Sequence, residues 1–195
     1  MAIPVTHPFE LFSDWFELAK ANEPSDVDAA SIATVGADGQ PSIRIVLIRE
    51  VSKDGFKFYT NLGSRKAREI ENNPQIALCF HWKSIAKQVR VEGRAQLVSD
   101  AVADRYFAGR PRESQIGAWA SQQSQTLASR AKLEADFREF ETKFAGDAVP
   151  RPPFWSGYQL QPTRFEFWDK RDHRLHDRQS YQKDGDDWQY ELLYP

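Results

Sequence analysis

The chain has 195 residues, with 26 lysines and arginines against 28 aspartates and glutamates and a formal net charge of −2. This near balance argues against nucleic acid or an anionic membrane as the main partner, so any cationic site must be local. The length suits one domain with a substantial core, and we expect residues 1–195 to form a single domain.

The sequence also predicts a compartment. No segment approaches the roughly twenty apolar residues that a membrane span requires. The first residues lack the basic and apolar regions of a secretory signal. The only cysteine, Cys79, excludes an intrachain disulfide and favours a reducing compartment, and we expect the cytoplasm.

The predicted elements begin with an amphipathic helix from Pro8 to Asn22, in which apolar side chains recur at helical spacing. Glycine turns within residues 36–39 and 54–55 join consecutive strands as hairpins, so the sheet is predicted to be antiparallel. A short helix with Ser64 as its N-cap is predicted to end at Asn72. The strands of this half are predicted at residues 31–35, 42–48, 56–60, 76–82 and 88–98.

From Asp100 onwards the pattern is helical, and Leu133, Phe137, Phe140 and Phe144 recur on one face of the last helix. We expect these four side chains to pack into the core. After a proline-rich connector, strands are predicted at residues 163–168, 174–181 and 188–193. Short antiparallel strands with interspersed helices indicate a mainly β, α+β fold, which is a small β-barrel or a strongly curled sheet with attached helices.

The segment Arg174-Leu175-His176-Asp177-Arg178 sets two arginines and a histidine at a spacing of two. In an extended strand alternate side chains share a face, so Arg174, His176 and Arg178 are predicted to line one surface. Because a buried guanidinium must be paired, this surface is predicted to bind an anion. A solvated edge strand with alternating charge is the alternative.

Arg65 and Lys66 lie in the first turn of the helix that follows Ser64. Free backbone N–H groups and the helix dipole favour anions there, so two cations at this position indicate an anionic ligand. Arg44 lies inside an apolar strand, where a charge needs a partner. We interpret the three cations as one phosphate pocket, and an ordinary exposed helix start is the alternative.

A second cluster offers Tyr106, Arg110 and Ser114 within one or two helical turns. A guanidinium fork with hydroxyl groups suits a second phosphate, and a solvated surface cluster is the alternative. His173 and His176 are the only close histidine pair, and their odd spacing on a strand argues against a metal site. The chain has no nucleophile elbow, phosphate-binding loop or dinucleotide fingerprint.

Taken together, these segments resemble the pyridoxamine 5′-phosphate oxidase family from about Phe9 to Pro195. The most specific matches are residues 174–178 behind residues 165–168, and residues 106–119. The resemblance implies an FMN-binding split β-barrel. It also implies a homodimer whose two active sites lie at the subunit interface.

The family pattern implies a role for each matching residue. Tyr106, Arg110 and Ser114 match the residues that hold the substrate phosphate, and Arg174 and His176 match the catalytic residues that lie over the pyridine ring. The implied cofactor contacts, some of them from the partner subunit, are Arg44, Ile45, Val46, Leu47, Tyr59, Thr60, Arg65, Lys66, Gln88, Gln123, Ser124, Trp168 and Arg178.

Arg49 departs from the family pattern, because it stands where the family usually has a lysine that touches the substrate phosphate. The charge is kept, but a planar fork replaces a compact ammonium, so the contact need not be equivalent. We also expect the N-terminal segment to be short and to lack the basic, tyrosine-containing extension that closes over the substrate in some relatives, so closure of the site is expected to differ.

The resemblance implies FMN-dependent oxidation of pyridoxamine 5′-phosphate and pyridoxine 5′-phosphate to pyridoxal 5′-phosphate, with O2 as acceptor and H2O2 as product. Two alternatives stay open. The first is another flavin enzyme on the same barrel, such as a reductase that takes hydride from NADH or NADPH. The second is a non-catalytic carrier of FMN or pyridoxal phosphate.

Overall fold

The structure is a computed structural model that describes residues 7–195, so the expectations about a signal and a short N-terminal segment concern residues outside it. The helices are α1 Pro8–Asn22, α2 Arg65–Asn72, α3 Asp100–Ala108, α4 Arg112–Ala120 and α5 Arg130–Lys143. The strands are β1 Ala29–Val35, β2 Pro41–Leu47, β3 Glu50–Ser52, β4 Gly55–Asn61, β5 Gln75–Trp82, β6 Lys87–Leu97, β7 Trp155–Asp169, β8 Asp177–Asp184 and β9 Asp187–Leu192. No helix among the described residues combines the length and apolarity that crossing a membrane needs.

The strands form one antiparallel sheet in the order β2-β1-β5-β6-β7-β4-β3, in which β8 also pairs with β7 and β9 pairs with β8. The long strand β7 pairs with β6 on one edge, while its other edge pairs first with β4 and then with β8. The register shifts between Glu92 and Gly93. A Cβ at Gly93 would lie 2.1 Å from the carbonyl oxygen of Gln161, so this close approach requires glycine. The predicted antiparallel, mainly β fold is confirmed.

The main core lies between this sheet and α1 and consists largely of aromatic rings. Phe12 of α1 packs against Phe56 and Phe80 of the sheet, with ring centroids 4.9 and 5.1 Å away. All three side chains are almost completely buried, and burial of each contributes about 1.5–3 kcal/mol. A smaller cluster around Phe107 and Trp155 joins α3 and α4 to the start of β7. The two clusters position the ends of β2 and β4 beside these helices.

The prediction that the apolar face of the last helix enters the core is only partly correct. Phe144, which follows α5, is buried, whereas Leu133, Phe137 and Phe140 are half-buried. The physical reason is that α5 packs mainly on α4 and not on the sheet, so one side of its apolar face stays near solvent.

The predicted strand at residues 174–181 begins three residues later, at Asp177. Asp172–Arg174 form a 3-10 turn, in which the second and third residues have φ angles of +57° and +63°. Residues with positive φ cannot continue a β-strand. The prediction that Arg174, His176 and Arg178 share one face of a strand is therefore wrong, because only the last of them lies in β8.

Candidate active site

A cavity of about 470 Å³ opens between β2, β4 and the helices α2, α3 and α4. The predicted site residues that line it are Ile45, Val46, Leu47, Arg49, Tyr59, Thr60, Lys66, Tyr106, Arg110, Ser114 and Gln123. Its other lining residues are Asn61, Gly117, Ala118, Ser121 and Trp155. Ser124 lines a neighbouring cavity of about 360 Å³ instead.

Three aromatic rings stack in parallel along this cavity. The ring centroids of Tyr59 and Tyr106 lie 3.7 Å apart with an interplanar angle of 2°, and Trp155 lies 5.5 Å from Tyr59 at an angle of 7°. A Cβ at Gly157 would lie 2.6 Å from the Tyr59 ring, so glycine at this position of β7 leaves room for the stack. Flat apolar rings beside polar groups suit a planar ligand.

Arg110 carries a buried polar atom that has no protein partner. Its guanidinium carbon lies 4.9 Å from the centroid of the Trp155 ring. The Nη1 atom is buried and has no hydrogen-bond partner among residues 7–195. Burial lowers the pKa of Arg110; Tyr106 opposes this with a smaller upward effect, and Arg49 lowers the pKa slightly further. Because an unpaired buried N–H group is costly, this arrangement fits an anionic ligand.

Arg44 and Arg65 converge on the buried carboxylate of Glu69. Nε of Arg65 lies 2.7 Å from one carboxylate oxygen, and Nη2 of Arg44 lies 3.2 Å from the other. Burial raises the pKa of Glu69, but hydrogen bonds from Ser42, Thr34 and the two arginines outweigh this effect and lower the pKa to about 2. Arg44 therefore has a protein partner in Glu69, so its position inside the strand does not by itself require a ligand.

Lys66 adds a third cation to this cluster, which contains a single carboxylate. Its ammonium donates to Oε1 of Gln123 at 2.8 Å and to Oγ1 of Thr60 at 3.1 Å. Burial, reinforced by Arg44, lowers the pKa of Lys66 to about 8. Because the oxygens that Lys66 contacts are neutral, Glu69 offsets only one of the three positive charges. The two remaining positive charges fit an anionic ligand, separate from the one expected at Arg110.

The remaining predicted residues lie elsewhere on the sheet. Gln88, Trp168 and Arg178 are neighbours on β6, β7 and β8, and the His176 ring lies 4.5 Å from that of Trp168. None of the four lines the cavity. Trp168 is thirteen residues from Trp155 on β7, which is about 40 Å of strand contour. The predicted site residues thus fall into two groups at opposite ends of one strand.

Arg178 is held in place by protein contacts. Its Nε and Nη2 atoms each lie 2.9 Å from Oε1 of Glu166, and its Nη1 donates to the carbonyl of Tyr194 at 2.7 Å. Glu166 is buried and also pairs with Arg90 at 3.2 Å. These protein contacts therefore hold the Arg178 guanidinium in place without a ligand.

Arg174 and His176 lie in the loop between β7 and β8. Contacts of Arg171 with two later residues join the two ends of this loop. The guanidinium of Arg171 pairs with Asp177 at 2.6 Å, and its main-chain N–H donates to Nδ1 of His176 at 3.1 Å. A neutral imidazole whose Nδ1 accepts carries its proton on Nε2, where it can donate. Arg174 is exposed at the tip of the loop.

Comparison with known proteins identifies the family. The family model described as "Pyridoxamine 5'-phosphate oxidase" matches residues 20–144. The chain belongs to the pyridoxamine 5′-phosphate oxidase family. A second model, described as "Pyridoxine 5'-phosphate oxidase C-terminal dimerisation region", matches residues 155–195, which contain β7, β8 and β9.

Two relatives carry the name pyridoxine/pyridoxamine 5′-phosphate oxidase. The protein of Sphingopyxis alaskensis is 52% identical over 188 residues, which are 96% of this chain and 87% of that protein. The protein of Rhodospirillum rubrum is 50% identical over 193 residues, which are 96% of each. This member of the pyridoxamine 5′-phosphate oxidase family is therefore an enzyme of the oxidoreductase class.

Solved structures agree with the fold. PhzG from Burkholderia lata 383, in complex with tetrahydrophenazine-1-carboxylic acid, has a TM-score of 0.93 and 31% identity and covers 98% of this chain and 94% of its own. An FMN-binding protein of Nostoc punctiforme that is related to pyridoxamine 5′-phosphate oxidase has a TM-score of 0.78 at 17% identity, covering 98% of this chain and 100% of its own. The predicted split β-barrel fold is confirmed.

Five cavity-lining residues of this pyridoxamine 5′-phosphate oxidase family member were not predicted from the sequence, and two of them, Asn61 and Trp155, make contacts that shape the site. Asn61 donates to the carbonyl of Ser121 at 3.0 Å and so ties β4 to the segment after α4. Asn61 could have been predicted, because it directly follows the predicted site residue Thr60 at the end of a strand. Trp155 could not, because the residues it contacts in the site are distant in sequence.

Proposed function

We propose that this protein catalyses the FMN-dependent oxidation of pyridoxamine 5′-phosphate and pyridoxine 5′-phosphate to pyridoxal 5′-phosphate, with O2 as the electron acceptor. The names of relatives at about 50% identity support the reaction. With the amine substrate, one O2 and one water are consumed, and ammonia and H2O2 are released. With the alcohol substrate, no water is consumed and no ammonia is released.

The buried, unpartnered Nη1 of Arg110 is the observation that carries the proposal. Arg110 lines the same cavity as Tyr106, Ser114 and Arg49. A guanidinium fork with nearby hydroxyl donors is well suited to a phosphate ester. We assign this end of the cavity to the substrate phosphate.

The cluster around Lys66 is assigned to the FMN phosphate. Its two uncompensated positive charges match a phosphate dianion, and the proposed holders are Lys66 itself, Arg44 and Arg65. FMN, when bound, supplies the two-electron acceptor. Lys66 lines the cavity, whereas Arg44 and Arg65 do not. The other residues proposed to contact FMN are Ile45, Val46, Leu47, Tyr59, Thr60 and Gln123, which line the cavity, and Ser124, which lines the neighbouring one.

We propose that a second copy of the chain completes each cavity. The long contour between Trp155 and Trp168 separates the cavity from the C-terminal group within one chain. The match of residues 155–195 to a dimerisation region supports a homodimer. In this arrangement each subunit binds the phosphates, and the other subunit supplies Gln88, Trp168, Arg174, His176 and Arg178.

The C-terminal residues then have distinct tasks. Arg174 is exposed, so its guanidinium is accessible to the reacting ring. His176 donates a hydrogen bond from Nε2, and Arg178, which Glu166 holds, contacts FMN. Because β7 pairs with strands from both halves of the chain, we propose that residues 1–195 act as a single domain.

One assay tests the function. The purified protein is mixed with FMN and pyridoxamine 5′-phosphate in air, and H2O2 and aldehyde are followed. Formation of both in equal amounts supports the oxidase. Bound flavin without product would instead favour a carrier, and turnover only with NADH or NADPH would favour a flavin reductase.

A further inference from the structure

Arg49 lies at the junction of three cavities. It lines the cavity of about 470 Å³, a neighbouring one of about 720 Å³ and a groove of about 790 Å³ along α1. Arg110 lines the first two of these, and the positive charge of Arg49 lowers the pKa of Arg110. Because two guanidinium groups share these cavities, a negative charge beside Arg49 would stabilise its guanidinium.

Asp28 supplies that counter-charge. Its Oδ2 atom lies 2.8 Å from Nη1 of Arg49. The main chain beneath the arginine is fixed from both sides, because the N–H of Ile48 donates to the carbonyl of Asp28 at 2.9 Å and the N–H of Arg49 donates to the carbonyl of Lys57 at 2.8 Å. With the backbone held in this way, the carboxylate of Asp28 determines where the guanidinium points.

We propose that Asp28 is a positioning residue for the substrate phosphate, which acts by holding Arg49 through one terminal nitrogen. This inference rests on the proposed function. A guanidinium has five N–H donors in a rigid fork, so a single contact with Asp28 leaves the other donors for the phosphate. A lysine at this position would carry its three donors on one compact nitrogen and would lack the planar fork that matches two phosphate oxygens at once. The arginine at position 49 and the acid at position 28 therefore work as a pair.

The sign of the effect distinguishes positioning from simple electrostatics. A carboxylate that acts only through its charge opposes anion binding, so its removal would strengthen the binding of a phosphate ester. A carboxylate that holds Arg49 in place assists binding, so its removal would weaken it. The two roles predict opposite changes in KM.

The test uses the FMN-loaded protein and compares Asp28→Ala and Asp28→Glu with the unsubstituted chain. We expect Asp28→Ala to raise the KM for pyridoxamine 5′-phosphate and the Kd for pyridoxal 5′-phosphate about three- to fivefold. We expect kcat and FMN retention to stay unchanged, and Asp28→Glu to recover much of the lost affinity. In an Arg49→Ala background, Asp28→Ala should have no further effect.

Glu134→Ala is the matched control, because it removes an ion pair of 3.0 Å with Arg130 on α5, away from Arg49. It should leave both constants unchanged. If Asp28→Ala does not fold, Asp28→Asn removes the charge at constant size and should change KM in the same direction. An unchanged or lower KM, or an equal increase in the Arg49→Ala background, would overturn the inference.

The binding measurement separates this inference from the proposed function. Pyridoxal 5′-phosphate binding that depends on Asp28, in a protein without oxidase turnover, would remove the oxidase proposal and support the positioning role. Oxidase turnover and ligand binding that do not change when Asp28 is replaced would support the oxidase proposal and overturn the positioning role. Absence of both turnover and binding in the unsubstituted protein would overturn both.

Discussion

The main-chain N–H of Arg171 donates a 3.1 Å hydrogen bond to Nδ1 of His176. This bond leaves Nε2 as the protonated nitrogen of the neutral ring, so His176 is suited to donate a hydrogen bond and not to accept a proton. The donor role predicts how amide replacements behave, because the glutamine amide extends towards the Nε2 position and the asparagine amide towards Nδ1.

We expect His176→Ala to lower kcat/KM for pyridoxamine 5′-phosphate about five- to tenfold, which corresponds to one hydrogen bond. His176→Gln should retain more activity than His176→Asn. Steady-state assays of the three variants check this ranking. Equal losses with glutamine and asparagine would argue against a donor at Nε2.

Arg110→Met should separate binding from stability. Loss of the phosphate contact should raise KM about ten- to a hundredfold. Because the variant also removes a buried N–H group without a partner, the ligand-free protein should melt at a higher temperature. Arg112→Met is the control, since Arg112 donates to the carbonyls of Phe144 and Asp147. It should lower the melting temperature and leave KM unchanged, and the same pattern in Arg110→Met would contradict the assignment.

The lowered pKa of Lys66, about 8, predicts a pH dependence of FMN binding. The ammonium loses its proton as the pH rises through 8, so FMN affinity should fall between pH 7 and 9. Fluorescence titrations at several pH values measure this fall, and Lys66→Met should bind FMN more weakly with little change over the same range. A fall of the same size in Lys66→Met would show that another group is responsible.

The lowered pKa of Lys66 also affects the stability of the ligand-free protein, which should rise with pH whereas FMN affinity falls. The folded-state pKa of Lys66 lies below its ordinary value of 10.5, so between about pH 8 and 10.5 the unfolded chain binds more protons than the folded one. The contribution of Lys66 to the free energy of unfolding therefore rises with pH across this window. Denaturant titrations of the unsubstituted protein and Lys66→Met measure the difference.

Glu69→Gln should destabilise the fold, because it leaves Arg44 and Arg65 without their shared carboxylate. We expect a loss of about 3 kcal/mol in the free energy of unfolding at pH 7. The folded-state pKa of Glu69 is lowered from 4.5 to about 2, so its stabilisation is present above pH 4.5 and is lost as the pH falls from 4.5 towards 2. Urea titrations at both ends of this pH range should show that acid lowers the free energy of unfolding less in Glu69→Gln than in the unsubstituted protein.

Glu17→Gln provides the comparison for that measurement. Glu17 pairs with Lys20 at 2.6 Å on the exposed side of α1, and an exposed pair contributes at most about 1 kcal/mol. A loss in Glu69→Gln no larger than that in Glu17→Gln would contradict the role assigned to the buried carboxylate.

Features with a local signal could be predicted from the sequence. Helix α1 begins and ends at the predicted residues, and Ser64 caps α2 by accepting the N–H of Ala67. The ion pair between Arg65 and Glu69 has the i, i+4 spacing of a helix and could have been found in the same way. These features depend on residues within one or two turns of each other.

Features that depend on tertiary contacts could not be predicted. The stack that Trp155 forms with Tyr59 joins residues that are far apart in the sequence. The alternation around His176 is typical of a strand, but the ion pair between Arg171 and Asp177 and the positive φ of Arg174 turn the segment into a loop. Periodicity alone carries no information on such closures.

Complementation between two impaired variants, assayed at a substrate concentration well below the raised KM of the Arg110 variant, tests the central claim most directly. That claim is an oxidase site built from the cavity of one subunit and the C-terminal loop of the other. Arg110→Ala damages the first part and Arg174→Ala the second. When the two variants are mixed, unfolded and refolded together, random pairing makes about half of the dimers hybrids with one intact site each, so about a quarter of the unsubstituted activity should return. Activity that stays at the level of the separate variants, in a mixture shown to contain hybrids, would contradict the shared site.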